Sequence, residues 1–120
     1  MTEESNVEIV RSPVPAGHIA ELAQQTFGDL VKAVVDTDRR IMAIGGGMHS
    51  DEEDHLLRDG SRQADLWGIN LYPDRYGAAG WIEFDSMINL RPAAGNRSRD
   101  VEDPATRAAI EQIVGILVRP

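Results

Sequence analysis

Apolar and polar positions along the chain change period several times, and each change marks an element. Val7 to Arg11 reads as a short strand, broken by Pro13 and Pro15, which pre-set the first turn of a helix. Ile19, Leu22, Ala23 and Phe27 then recur at helical spacing and stop at Gly28, the residue expected to end that helix. Leu30 to Val35 and Arg40 to Ile44 are rich in β-branched and apolar residues. The turn chemistry of Asp36-Thr37-Asp38-Arg39 between them predicts an antiparallel hairpin. After Gly45-Gly46-Gly47, Ser50 with Glu53 three residues on predicts a capped short helix ending at Gly60. Its thin apolar content, mainly Leu56 and Leu57, places it at the periphery. Leu66 to Tyr72 reads as a strand. Asp103 and Pro104 open a last helix with an apolar stripe of Ala109, Ile110, Ile113, Val114 and Leu117.

The clearest alternation runs from Trp81 to Arg91. Read as one strand, it puts Ile82, Phe84, Ser86, Ile88 and Leu90 on a core face, and Trp81, Glu83, Asp85, Met87, Asn89 and Arg91 on the other. The resulting order, β-α-β-β-α-β-β-α, predicts a single α+β domain over residues 1–120. The expected architecture is a two-layer sandwich with a largely antiparallel sheet and helices on one face, a ferredoxin-like core plus an extra strand and a C-terminal helix. The polar row should then face away from the helices. Asn70 and Asn89, each on the less apolar side of its strand, are expected to share that floor.

Composition narrows the function classes. The 120 residues contain no cysteine, which excludes disulfides, thiol nucleophiles and Cys-type metal sites. A net charge of −8 argues against nucleic acid, because phosphate binding needs clustered cations. No apolar run approaches the ~20 residues of a membrane span. The acidic N-terminus lacks the pattern of a secretion signal, so a cytoplasmic location is expected.

Several groups carry candidate chemistry. Glu83 and Asp85 suit a general acid and base, or carboxylate ligands to a divalent ion, with Arg91 as an ion-pair partner in the structural alternative. Asn70, Asn89 and Arg91 are candidate ligand-binding residues on the same face. Asn96, Arg97 and Ser98 supply donors suited to a carboxylate or phosphate, Arg97 as an anion clamp, against the alternative of a self-bonded turn. His49, Asp51 and His55 are rich in ligand types, but first-turn acids are also what any helix N-terminus prefers, so no metal and no cofactor is expected. The glycines lack the Lys of a phosphate-binding loop. Trp81 and Met87 among the charges suggest a covered face, and hence a homo-oligomer, with a dimer as the expectation.

The runs Val31-Lys32-Ala33-Val34-Val35-Asp36, Ile41-Met42-Ala43-Ile44-Gly45-Gly46, Asp65 to Pro73, Glu83 to Pro92 and Gly95-Asn96-Arg97-Ser98 resemble a family of small prokaryotic proteins, the domain of unknown function 5674. The resemblance spans nearly the whole chain and implies no activity or ligand. Its pattern has a His at the position of His49 and does not require one at His55. Two function classes remain open. One is a non-catalytic binding or interaction domain that uses the polar sheet face and the Gly95–Arg99 loop, with a small anionic ligand or a protein as partner. The other is a small hydrolase or transferase acting on an anionic substrate through Glu83 and Asp85. Convergence of Glu83, Asp85, Asn89, Arg91, Asn70 and His49 in one concave site favours the second; a flat sheet favours the first.

Overall fold

A computed structural model describes residues 6–120. Within it the chain runs β1 (Glu8–Val10), β2 (Val14–Pro15), α1 (Ala16–Gln25), β3 (Val31–Asp36), β4 (Ile41–Ile44), α2 (His49–Arg58), β5 (Leu66–Leu71), β6 (Ile82–Glu83), α3 (Pro104–Leu117) and β7 (Val118–Arg119). The acidic segment 1–5, on which the reading of no secretion signal rests, lies outside the described residues. No described helix is long and apolar enough to cross a membrane.

The predicted hairpin forms the centre of a five-stranded sheet of order β1-β4-β3-β5-β6, in which every neighbour is antiparallel. Asp36 closes the turn between β3 and β4 by accepting the N–H groups of Asp38 and Arg39 on Oδ1, both at 2.8 Å. A second, two-stranded sheet joins β2 and β7 in parallel and ties the C-terminus to the entry of α1. The α+β class and the largely antiparallel sheet are as expected. Asp103 caps α3 as expected too, accepting from the Thr106 N–H at 3.1 Å. Alternate residues of the central strands fill the main core, where Val31, Ala33 and Val35 meet Ile19 of α1 and Ile110 and Ile113 of α3.

α2 departs from the expected packing of all helices on one face. Leu56 joins Val34, Ile41, Ala43 and Leu66, which point to the other side of the sheet. Strand order explains this. β1 and β3 run the same way with β4 between them, and α1 makes the crossover; β4 and β5 run the same way with β3 between them, and α2 makes that one. Both crossovers step in the same lateral direction but start from strands of opposite sense, so right-handed connections put α1 and α2 on opposite faces. In a ferredoxin-like sheet the fourth strand returns beside the first and both helices share a face. Here β5 adds beside β3 instead.

Other local details also differ. α2 starts at His49 after Met48 with no side-chain cap, so the predicted box of Ser50 and Glu53 is not formed. Phe27 lies beyond α1, which ends at Gln25, and so leaves the apolar stripe; Gly28 takes the expected left-handed conformation with φ of 93°.

The largest correction concerns Trp81 to Arg91. Only Ile82 and Glu83 pair as a strand, against Leu71 and Asn70. The chain then leaves the ladder and forms a 3-10 turn at Met87–Asn89, capped by Ser86. The cause is a side-chain substitute for the missing strand. Asn89 Oδ1 accepts from Gly68 N at 2.8 Å and Asn89 Nδ2 donates to Gly68 O at 2.9 Å, while the Arg91 guanidinium donates to Leu66 O. Edge-facing peptide groups at Leu66, Gly68 and Asn70 are thus met in turn by a guanidinium, an amide and β6. A carboxamide has the donor and acceptor geometry of a peptide group, so it continues a ladder without continuing a strand.

Candidate functional site

Cross-strand register builds a polar row that the sequence reading placed along one strand. Lys32 stands opposite Asn70 in the β3–β5 ladder, and Asn70 opposite Glu83 in the β5–β6 ladder. Directly opposed residues share a face, so a cation, an amide and a carboxylate lie side by side across three strands. They lie on the face that carries α2. That ten-residue helix covers Val34, Ile41 and Leu66 and leaves the Lys32–Asn70 end open.

The open end is a cleft of about 510 Å³. Its floor is the Lys32, Asn70 and Glu83 row with Tyr72; its sides bring in His49, Asp85, Ser86 and Arg99; Phe27, Met48 and Met87 stand around it. Those three apolar side chains are 46, 50 and 61 % exposed, whereas Asn70 is only 8 % exposed.

Hydrogen bonds fix most of the polar groups. Asn70 Nδ2 donates to Glu83 Oε1 at 2.8 Å, and Tyr72 Oη donates to the same oxygen at 3.1 Å. Arg99 Nε donates to Asp85 Oδ1 at 2.6 Å. His49 Nε2 lies 2.8 Å from the Ile69 carbonyl oxygen. A carbonyl only accepts, so Nε2 carries the proton and Nδ1 is left as an acceptor. Burial lowers the His49 pKa, against the smaller raising effects of that bond and of the Asn70 side chain, and so favours the neutral ring. Asn70 Oδ1 is buried and has no hydrogen-bond partner. Lys32 Nζ sits 5.2 Å from the centre of the Phe27 ring.

The candidates read from sequence divide sharply. Asn70, Glu83, Asp85 and His49 converge in the cleft. Asn89 and Arg91 do not line it: they serve the sheet edge, Arg91 also standing 4.7 Å over the Trp67 ring. Asn89 is fully buried, so it does not share a floor with Asn70. Asn96 is buried as well, its Nδ2 donating to the carbonyls of Asn89 and Asp100, both at 2.7 Å. Arg97 is exposed and does not line the cleft, and Ser98 Oγ accepts from Asp100 N at 3.2 Å. Trp81 packs in the main core, edge-on to Tyr76 at 5.0 Å, so it does not mark an interface. No three His, Asp or Glu side chains among the described residues group to hold a metal ion. The reading missed Lys32, Tyr72, Phe27 and Met48 as lining residues, while Arg99 entered it only as the end of the Gly95–Arg99 loop and Met87 only as a sign of a covered face. Lys32 had a signal: it is the one lysine of the chain, set inside an otherwise apolar strand run.

A family model for proteins of unknown function, DUF5674, matches residues 8–117. The chain belongs to that family. No curated protein and no solved structure matches it. Every cleft residue of this DUF5674 chain falls within the matched span. So does Glu52, a fully buried acid outside the cleft lining. Its Oε2 accepts from Gly46 N at 3.0 Å, its Oε1 has no partner, and burial pushes its pKa well above the usual carboxylate value.

Proposed function

We propose that this protein is a small-molecule binding domain whose ligand occupies the cleft on the α2 face. The observation that carries this reading is the cleft floor, where strand register sets Lys32, Asn70 and Glu83 side by side at the end of the sheet that α2 leaves open. The size of the cleft supports the same reading, since small-molecule sites enclose roughly 300–1,000 Å³.

Glu83 and Asp85 already hold donors from Asn70, Tyr72 and Arg99. That engagement suits carboxylates that orient a ligand better than a free acid and base pair, so the proposal is binding rather than hydrolysis or group transfer. The test is a fragment titration of ¹⁵N-labelled protein followed by NMR. Saturable shifts at Lys32, His49, Asn70 and Glu83 are expected; binding confined to other surfaces, or none, would overturn the reading.

A further inference from the structure

The groups of the cleft restrict the charge and shape of what it takes. Lys32 and Arg99 face Glu83 and Asp85 in the same space, so with a neutral His49 the formal charges cancel. A bare anion gains from Lys32 and loses to the carboxylates, and a bare cation meets the reverse. The balance favours a molecule carrying both signs. Donors and acceptors are also sorted in space. On the β5–β6 side the exposed Glu83 carboxylate stands beside Asn70 and the His49 ring. Lys32 lies on the β3 side, its backbone paired with Asn70 and its ammonium 5.2 Å from the centre of the Phe27 ring. Cross-strand neighbours stand roughly 5 Å apart at Cβ, which places the donor and acceptor sets within one small molecule's reach. Above them the rim is apolar and exposed at Phe27, Met48 and Met87.

We propose that the cleft takes an α-amino acid with an apolar side chain: its ammonium on the Glu83 carboxylate beside Asn70, its carboxylate on Lys32 Nζ, and its side chain against Phe27, Met48 and Met87. The inference rests on the small-molecule reading above and names the ligand class for it. Methionine at the rim suits this role, because an unbranched thioether adapts to side chains of different shape.

The test compares L-leucine with two molecules that each lack one charge, 3-methylbutylamine and 4-methylpentanoate, by isothermal titration calorimetry and NMR on the same protein. L-Leucine is expected to bind saturably and shift the amide resonances of Lys32, Asn70 and Glu83. Each truncated molecule should bind at least about tenfold more weakly, the effect of losing one charge-assisted hydrogen bond. Lys32→Met should weaken leucine at least about tenfold and should not weaken 3-methylbutylamine, which loses a like charge rather than a partner. The ligand series on the unaltered protein needs no variant to fold. Equal binding of leucine and either truncated molecule would overturn the proposal. If leucine fails while unrelated fragments still fill the cleft, the amino-acid proposal falls and the small-molecule reading survives; a cleft silent to every compound removes both.

Discussion

Replacing Asn89 with alanine should cost the fold about 3–5 kcal/mol, an estimate set by the net value of buried hydrogen bonds and the penalty for orphaned partners. The Asn89 side chain accepts from Gly68 N and donates to the carbonyls of Gly68 and Arg99, at 2.8, 2.9 and 3.0 Å. Alanine leaves those three peptide groups without the amide, at a position where Asn89 is 0 % exposed. Each orphaned group costs about 1–3 kcal/mol, and water entering the vacated space recovers part of that. Asn89→Asp should be no better. It keeps an acceptor for the Gly68 N–H but turns an oxygen toward two carbonyl oxygens. Urea denaturation followed by circular dichroism reads the effect. With a denaturant slope of about 1–3 kcal/mol per molar, the midpoint should fall by roughly 2 M. A loss below about 1 kcal/mol would mean that solvent replaces the amide at little cost and that the side-chain ladder does not hold this edge. A stable variant that had lost ligand binding would return Asn89 to the floor where the sequence pattern put it.

Glu52→Gln should change the pH dependence of stability. The folded pKa of Glu52 is raised, so its stabilising contribution is full below the unfolded carboxylate value and is lost as pH rises toward the folded one. Stability of the variant relative to the parent should therefore climb by up to about 1.4 kcal/mol per pH unit in that window, and parallel curves would refute it. Gly68→Ala should destabilise by about 1–3 kcal/mol through overpacking, because a Cβ there would meet Ser86 Cβ and Oγ at 2.5 Å. Adding Ser86→Gly should recover part of the loss in a thermal melt, and no recovery would place the strain elsewhere. Arg97→Ala should change stability by less than about 0.5 kcal/mol and leave cleft binding intact, since its side chain is exposed and lies outside the cleft. Loss of binding in that variant would restore the anion-clamp role.

The elements most legible in the sequence were those fixed by local chemistry. The β3–β4 hairpin follows from its Asp-rich turn, and α3 from Asp103 and Pro104, because caps and turns act over three or four residues. The segment after Glu83 was illegible for the opposite reason. Its alternation is real, yet what decides the backbone is whether a neighbour supplies peptide groups, and Asn89 and Arg91 supply them from side chains instead. Ser86 enters that region because Gly68 leaves room for it. A polar residue on a strand pattern is assigned to solvent by default, so both Asn89 and Asn96 were read as ligand groups when they are buried structural amides.

The candidate site was half legible for a related reason. Period-two reading sorts residues along one strand, and it placed Glu83 and Asp85 near each other correctly. It has no access to register between strands, and the row that makes the floor, Lys32, Asn70 and Glu83, runs across three of them. Nor does it say which face a crossover helix takes. Because β5 adds beside β3, right-handedness sends α2 to the face opposite α1 and α3. Once there, ten residues are too few to cover it: at 1.5 Å per residue the helix spans about 15 Å. Leu56 closes the Val34 and Leu66 end of the sheet, and the Lys32 and Asn70 end stays open between His49 and Asp85. The cleft is therefore a consequence of strand order acting through handedness and helix length, which is why no motif in the sequence announces it.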